Sequence, residues 1–210
     1  MICDMDIKAV VFDMGGVLID IKLERCRREF KKLGMYQIDD ILDPFHQKGI
    51  IKQMEAGEID PETFVAKCLE MCDEGTTGQQ VKDALDSLLG DVADDKLRFI
   101  EELSGKYDIY FLSNNNPMAA ARFEEVIASH GFDVEKTVKH RFYSYREKLL
   151  KPDARIYQRM IDGTGLAPEQ ILFIDDSDSN VAAAAALGIR TAKYVIGSSL
   201  RDCVMDAMKA

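Results

Sequence analysis

The chain has 210 residues, 47% hydrophobic and 30% charged, enough for one good core and a smaller satellite core. A net charge of -10 and a pI near 4.8 deny it the basic face that nucleic acid or an anionic membrane needs. A small anionic substrate stays open, because a metal ion and a few fixed cations reverse the field locally.

Lys8-Ala-Val-Val-Phe12 is a short, nearly continuous apolar run, the pattern of a strand buried on both faces. It ends in Asp13-Met-Gly-Gly, a loop. From Lys22 to about Asp95 the pattern is helical, with no convincing strand. Leu23, Cys26, Phe30 and Leu33 form one stripe; Val65, Cys68, Leu69 and Cys72 a second; Val81, Leu85, Leu88 and Leu89 a third. Pro61-Glu62 after Asp60 reads as a helix start. Gly15-Gly16 before this module and Gly90-Asp91 near its end would let it move. Strand-like runs resume at Tyr107–Leu112, Phe142-Tyr143, Ile171–Ile174 and Thr191–Val195. Between them lie a helical stripe of Phe123, Val126 and Ile127, closed by His130-Gly131, and one of Ile156 and Met160 after an N-cap at Asp153. Alternating strands and helices predict an α/β fold: a Rossmann-like parallel sheet covered on both faces. The expected division is a core of residues 1–20 and 96–210 and a helical cap of residues 21–95.

Met1-Ile-Cys-Asp-Met-Asp lacks a basic leader followed by an apolar run, and no apolar stretch of about 18 residues occurs. A cytoplasmic location with reduced thiols is the expectation for the five cysteines, Cys3, Cys26, Cys68, Cys72 and Cys203. Cys68 and Cys72 sit one helical turn apart without further ligands, so they read as part of an apolar stripe.

Ligands of an open parallel sheet bind beyond the carboxyl ends of the strands. Asp13 follows the first strand, Ser113 and Asn114 to Asn116 the second, and Asp175-Asp176 the run at Ile171; Lys151 precedes a helix. Each alone has an ordinary reading as a cap or turn residue. Together they suit phosphoryl transfer: carboxylates for magnesium, a hydroxyl and an ammonium for phosphoryl oxygens, and an aspartate as nucleophile. Adjacent acids after a fully apolar strand also repel each other unless a partner is present.

Val10-Val-Phe-Asp13-Met-Gly-Gly-Val-Leu, Leu112-Ser113-Asn114, Lys151-Pro-Asp and Phe173-Ile-Asp175-Asp176 resemble, in order, the four motifs of the haloacid dehalogenase-like hydrolase superfamily. The helical insertion falls where that family carries its C1 cap. Lys151-Pro-Asp-Ala-Arg-Ile-Tyr-Gln and Gly188-Ile-Arg-Thr are most similar to the subgroup containing bacterial α-D-glucose-1-phosphate phosphatases. The resemblance implies a Mg2+-dependent hydrolase of a small phosphorylated metabolite. It makes Asp13 the nucleophile and a metal ligand, the Gly15 carbonyl and Asp176 further ligands, and Asp175 a supporting or alternative ligand. Ser113, Asn114 and Lys151 would hold the phosphoryl group.

Two positions depart from that pattern. Gly15 stands where most family phosphatases carry a general acid, and Asn180 where a further acid is common. The leaving oxygen then lacks an evident proton donor, a smaller problem for an anomeric phosphate than for an alkyl one. In the cap, Lys22, Arg25, Arg27, Arg28, Lys31 and Lys32 read as a solvated helix face. His46, Lys48, Glu55 and Glu58 are candidates to meet a polyol, and His46 is also a candidate proton donor. Two other readings remain: a 2-haloacid dehalogenase, which needs no metal, and a non-catalytic phosphate-binding regulator.

Overall fold

The structure, a computed structural model, describes residues 7–43 and 48–209. Cys3 and His46 lie outside the described residues. Strand β1 (Ala9–Phe12) is buried at every position. Its alternation sends Val10 and Phe12 into one core and Ala9 and Val11 into another, so both faces need cover.

The chain then passes through β2 (Ile19–Ile21) into α1 (Leu23–Lys32), α2 (Ile38–Ile41), α3 (Gly49–Glu55), α4 (Pro61–Leu69) and α5 (Gly78–Asp86). It returns by β3 (Leu89–Val92) and α6 (Asp94–Ser104). Next come β4 (Asp108–Ser113), α7 (Pro117–Ser129), α8 (Val134–Thr137), β5 (His140–Tyr143), α9 (Ser144–Glu147) and α10 (Ala154–Thr164). The remaining elements are β6 (Ile171–Asp175), α11 (Asp178–Ala185), β7 (Arg190–Lys193) and α12 (Leu200–Lys209).

The five-stranded sheet runs β5-β4-β1-β6-β7, parallel throughout. Helices α6, α7 and α12 cover one face through Ile100, Phe123 and Val204. Helices α10 and α11 cover the other through Ile156, Met160 and Ala184. The expected α/β architecture, with inserted helices forming a cap, is therefore observed. The insertion has its own core, in which Cys26 and Phe30 meet Ile51, Met54, Phe64, Cys68, Val81 and Leu85. Cys68 is fully buried there, as its apolar stripe demands.

Local signals act as expected at several ends. Asp60 caps α4 by accepting from the Thr63 N–H at 2.7 Å, and Asp153 caps α10 by accepting from the Arg155 N–H at 2.9 Å. Gly131 follows α7 with φ +82°, a left-handed turn suited to glycine.

One expectation fails. The stretch read as wholly helical contains β3, which pairs antiparallel with β2, Ile19 opposite Val92 and Ile21 opposite Leu89. Helix α5 stops at Asp86, so Leu89 belongs to this ribbon rather than to the helical stripe. Gly90-Asp91, read as a hinge, lies inside β3. A Cβ on Gly90 would sit 2.8 Å from the Asp20 Cβ, so glycine lets the two strands close. Runs of three and four residues carry no periodicity of their own; the pairing is a long-range contact. Among the described residues, no helix is long and apolar enough to cross a membrane.

Candidate active site

After β1 the chain moves to the β4 side of the sheet, and after β6 to the β7 side. The two connections diverge at neighbouring strand ends and open a crevice between them. Asp13 follows β1, and Asp175 and Asp176 stand at the end of β6.

Lys151 reaches in from the segment before α10. Its ammonium lies 2.9 Å from Asp13 Oδ1 and 2.6 Å from Asp175 Oδ2, and donates to the Leu112 carbonyl at 3.1 Å. All three of its protons are thus placed. Asn114 fixes the lysine's backbone: its amide donates to the Lys151 carbonyl at 3.0 Å and its Oδ1 accepts from the Lys151 N–H at 2.8 Å. This side chain, expected on the phosphoryl group, lines the cavity and spends its Oδ1 and one of its two amide N–H groups on Lys151. Ser113 keeps its hydroxyl nearly free on the cavity wall, with one long bond of 3.4 Å to the Asn114 carbonyl.

The carboxylates divide by their surroundings. Asp13 accepts from the Met14 N–H and Lys151 through Oδ1, and among the described residues no hydrogen bond reaches its Oδ2. Asp175 is fully buried. Its oxygens take Lys151, the Ser177 N–H at 2.9 Å, and the Asn180 amide at 3.0 and 3.1 Å. Asn180 thus orients Asp175. Asp176 is half-buried on the cavity wall. Ligand oxygens of Asp13, Asp175 and Asp176 lie within 4.8 Å of one another.

Burial pushes the Asp13 carboxyl up to about 7; Lys151 opposes this, while Asp175 and Asp176 reinforce it. Burial, then Asp175, raises Asp176 as well. Burial alone would lower Lys151, but Asp13 and Asp175 outweigh it and hold the ammonium above its ordinary range. Clustered carboxylates that resist ionising together are what a divalent cation relieves. The donor set is all oxygen, which suits magnesium. Gly16, with φ +78°, lets the backbone approach this cluster: a Cβ there would sit 2.3 Å from Asp176 Oδ2. Gly15 lines the same cavity beside it.

Above these residues lies a cavity of about 740 Å³ that also reaches the cap. Lys52, Glu55 and Glu58 contribute to its cap wall. Lys48 does not line it, and His46 lies outside the described residues. The basic face of α1 is mostly occupied within the cap. Arg25 donates to the carbonyls of Ser87 and Leu89, Arg27 to that of Leu42, and Lys31 pairs with Asp39. Sequence reasoning passed over Ser144, whose hydroxyl accepts from the Asn115 N–H at 2.9 Å and donates to the Glu55 carbonyl at 2.7 Å. Nothing local marks that serine, because its partners are 29 and 89 residues away.

A carboxylate cluster at the switch point of a parallel sheet, under a helical cap, defines a cation-assisted hydrolase with an aspartate at its centre. Residues 7–188 match the haloacid dehalogenase-like hydrolase family, and the chain belongs to it. It is 31% identical to a D-ribitol-5-phosphate phosphatase of Bacteroides thetaiotaomicron, over 93% of this chain and 96% of that protein. It is 26% identical to a phosphorylated carbohydrates phosphatase of Thermotoga maritima, over 93% and 88%. A solved enzyme of the family from B. thetaiotaomicron, in complex with magnesium and inorganic phosphate, superposes with a TM-score of 0.87 at 32% identity. That match covers 93% of this chain and 98% of the other. L-2-haloacid dehalogenase from Xanthobacter autotrophicus shares the fold, with a TM-score of 0.58 at 18% identity over 93% and 80%.

Proposed function

We propose that the physiological substrate is a sugar or polyol phosphate and that Asp13 is the nucleophile. The chain is a Mg2+-dependent phosphomonoester hydrolase of small phosphorylated metabolites, working through an aspartyl intermediate. The observation that carries the residue assignment is the asymmetry of Asp13: among the described residues, Lys151 and the Met14 N–H hold one oxygen and nothing holds the other, in a carboxylate with an oxygen within 4.8 Å of those of Asp175 and Asp176.

In this reading, Asp13 Oδ2 attacks phosphorus as the alcohol departs, and water then cleaves the acyl phosphate. Ser113 binds a phosphoryl oxygen. Lys151 favours the ionised form of Asp13 against its burial and counters the charge of the transferring group. Asn114 acts through Lys151 by fixing its backbone. Asp13, the Gly15 carbonyl and Asp176 would hold magnesium, with Asp175 supporting them. The bound ion would neutralise phosphoryl charge in the transition state.

The core of residues 1–20 and 96–210 and the cap of 21–95 belong to the same reading. The cap's separate apolar core supports it, although the boundaries cut β2 and α6. So does a cytoplasmic location, supported by the free thiols of Cys26, Cys68, Cys72 and Cys203.

Two substrates head the candidates. α-D-glucose 1-phosphate fits the resemblance at Lys151–Gln158, and ribitol 5-phosphate is the named substrate of a relative covering nearly the whole chain. The test is a panel of sugar and polyol phosphates together with 4-nitrophenyl phosphate, with magnesium and with EDTA. Magnesium-dependent hydrolysis that disappears in Asp13→Asn is expected. Full activity in EDTA, or wild-type rates in Asp13→Asn free of deamidated protein, would refute the site assignment. Metal-independent release of halide from 2-chloropropionate would establish the dehalogenase reading instead.

A further inference from the structure

We infer that Glu55 of the cap is the acid that protonates the leaving oxygen, the task left open by glycine at position 15. The inference rests on the phosphatase reading above.

The cavity is lined by several carboxylates, and most are committed. Asp13 and Asp176 belong to the metal cluster. Asp20 pairs with Lys22 at 3.0 Å, and Asp153 with Arg155 at 2.6 Å. Glu58 is exposed. Glu55 is half-buried on the cavity wall, and among the described residues neither an ion pair nor a hydrogen bond reaches its carboxyl. The surrounding cations do not quench it. Lys151 is held by Asp13 and Asp175, and Arg146, on the packed helix α9, lies over the rings of Tyr143 and Tyr145. Lys52 and Lys148, on the same wall, are not within ion-pair distance of it. On α9, Glu147 pairs with Arg159.

Its position is fixed from behind. Glu55 is the last residue of α3, and its carbonyl accepts from Ser144, which also receives the Asn115 N–H. Two residues on, a Cβ at Gly57 would lie 2.3 Å from the Tyr145 carbonyl oxygen, so the cap backbone seats directly on the core. The end of α3 is thereby docked onto the start of α9, which Ser144 ties to the loop that follows β4. Enclosure, and then the Asp13 charge, push the Glu55 carboxyl up to about 8, which keeps it protonated near neutrality.

The proton balance closes over two steps. As Asp13 Oδ2 forms its bond to phosphorus, the phosphorus–oxygen bond to the leaving group breaks. That oxygen takes the Glu55 proton and departs as the alcohol. In the second step the Glu55 carboxylate takes a proton from water attacking phosphorus, the bond to Asp13 breaks, and phosphate is released.

The test compares wild type and Glu55→Gln on 4-nitrophenyl, phenyl and 4-methoxyphenyl phosphates at fixed magnesium. These share a ring and carry no hydroxyl for a polyol contact. The expected kcat/KM loss is about a hundredfold on the phenyl and methoxyphenyl esters. It shrinks toward the nitrophenyl ester, whose leaving group needs little help, and there a burst of nitrophenol precedes slow turnover. A loss equal across the series, or none, would overturn the inference. Circular dichroism checks that the variant is folded. No magnesium-dependent hydrolysis of any ester by the wild type would overturn the phosphatase reading itself.

Discussion

Replacing Lys151 tests the centre of the site most directly, because the structure gives this side chain two separable roles. Lys151→Met keeps most of its volume and removes its charge. The ammonium is buried between Asp13 at 2.9 Å and Asp175 at 2.6 Å, so its loss strands two carboxylates that no other cation among the described residues reaches. Removing one partner of a buried ion pair costs about 3–5 kcal/mol. For a protein of this size that lowers Tm by roughly 6–20 °C. A domain of ordinary stability, about 5–15 kcal/mol, stays largely folded at room temperature.

The sign of the pH dependence follows from Asp13. Its folded pKa, about 7, already stands above the ordinary 3.8, and removing the ammonium moves it further up. A carboxyl with a raised folded pKa opposes folding at every pH above its unfolded value, by an amount that grows with pH until the folded value is passed. The share of the Tm deficit of Lys151→Met that Asp13 contributes therefore shrinks as pH falls toward about 7 and levels off below it. Turnover of 4-nitrophenyl phosphate, measured on protein shown to be folded, falls at least about a hundredfold. A folded variant within about tenfold of wild type would show that Lys151 serves only to start α10. A Tm deficit that widened toward low pH would refute the account of the buried carboxylates.

Three further outcomes are expected. Gly16→Ala combines φ +78° with a Cβ that would meet Asp176 Oδ2 at 2.3 Å, so magnesium binding, read by calorimetry, weakens by about tenfold or more. Magnesium must displace the proton from Asp13, so its apparent affinity falls below pH 7 by up to about tenfold per unit, with proton uptake or release visible in buffers of different ionisation heat. At Gly15 the backbone is not left-handed, and an added Cβ meets only the Ile21 side chain, at 3.3 Å and beyond. Gly15→Asp should therefore fold, and in the Glu55→Gln background it should recover part of the lost kcat/KM on phenyl phosphate.

Much of the molecule was legible in the bare chain, and for a common physical reason. Strands buried on both faces must be apolar throughout, so β1 and β6 stand out as runs, and ligands gather where such runs end. Asp13, Ser113, Lys151, Asp175 and Asp176 could be read as one cluster because each sits at the end of a strand or the start of a helix, where local signals are strongest. Caps at Asp60 and Asp153 were readable because their partners are two or three residues away.

What only the tertiary structure decided depends on partners distant in the chain. The β2–β3 ribbon is two short segments stabilised by each other. Asn114 turned out to hold the backbone of Lys151, 37 residues on, and Asn180 to orient Asp175. Glu55 shows the limit most plainly. In sequence it is one acid among 37 Asp and Glu residues, named only as a contact for a polyol. Its enclosure, its freedom from any cation and its place over the cavity arise only when Ser144 and Gly57 seat the end of α3 on the core. A carboxyl's acidity depends on the dielectric and charge around it, and those surroundings are assembled from across the fold.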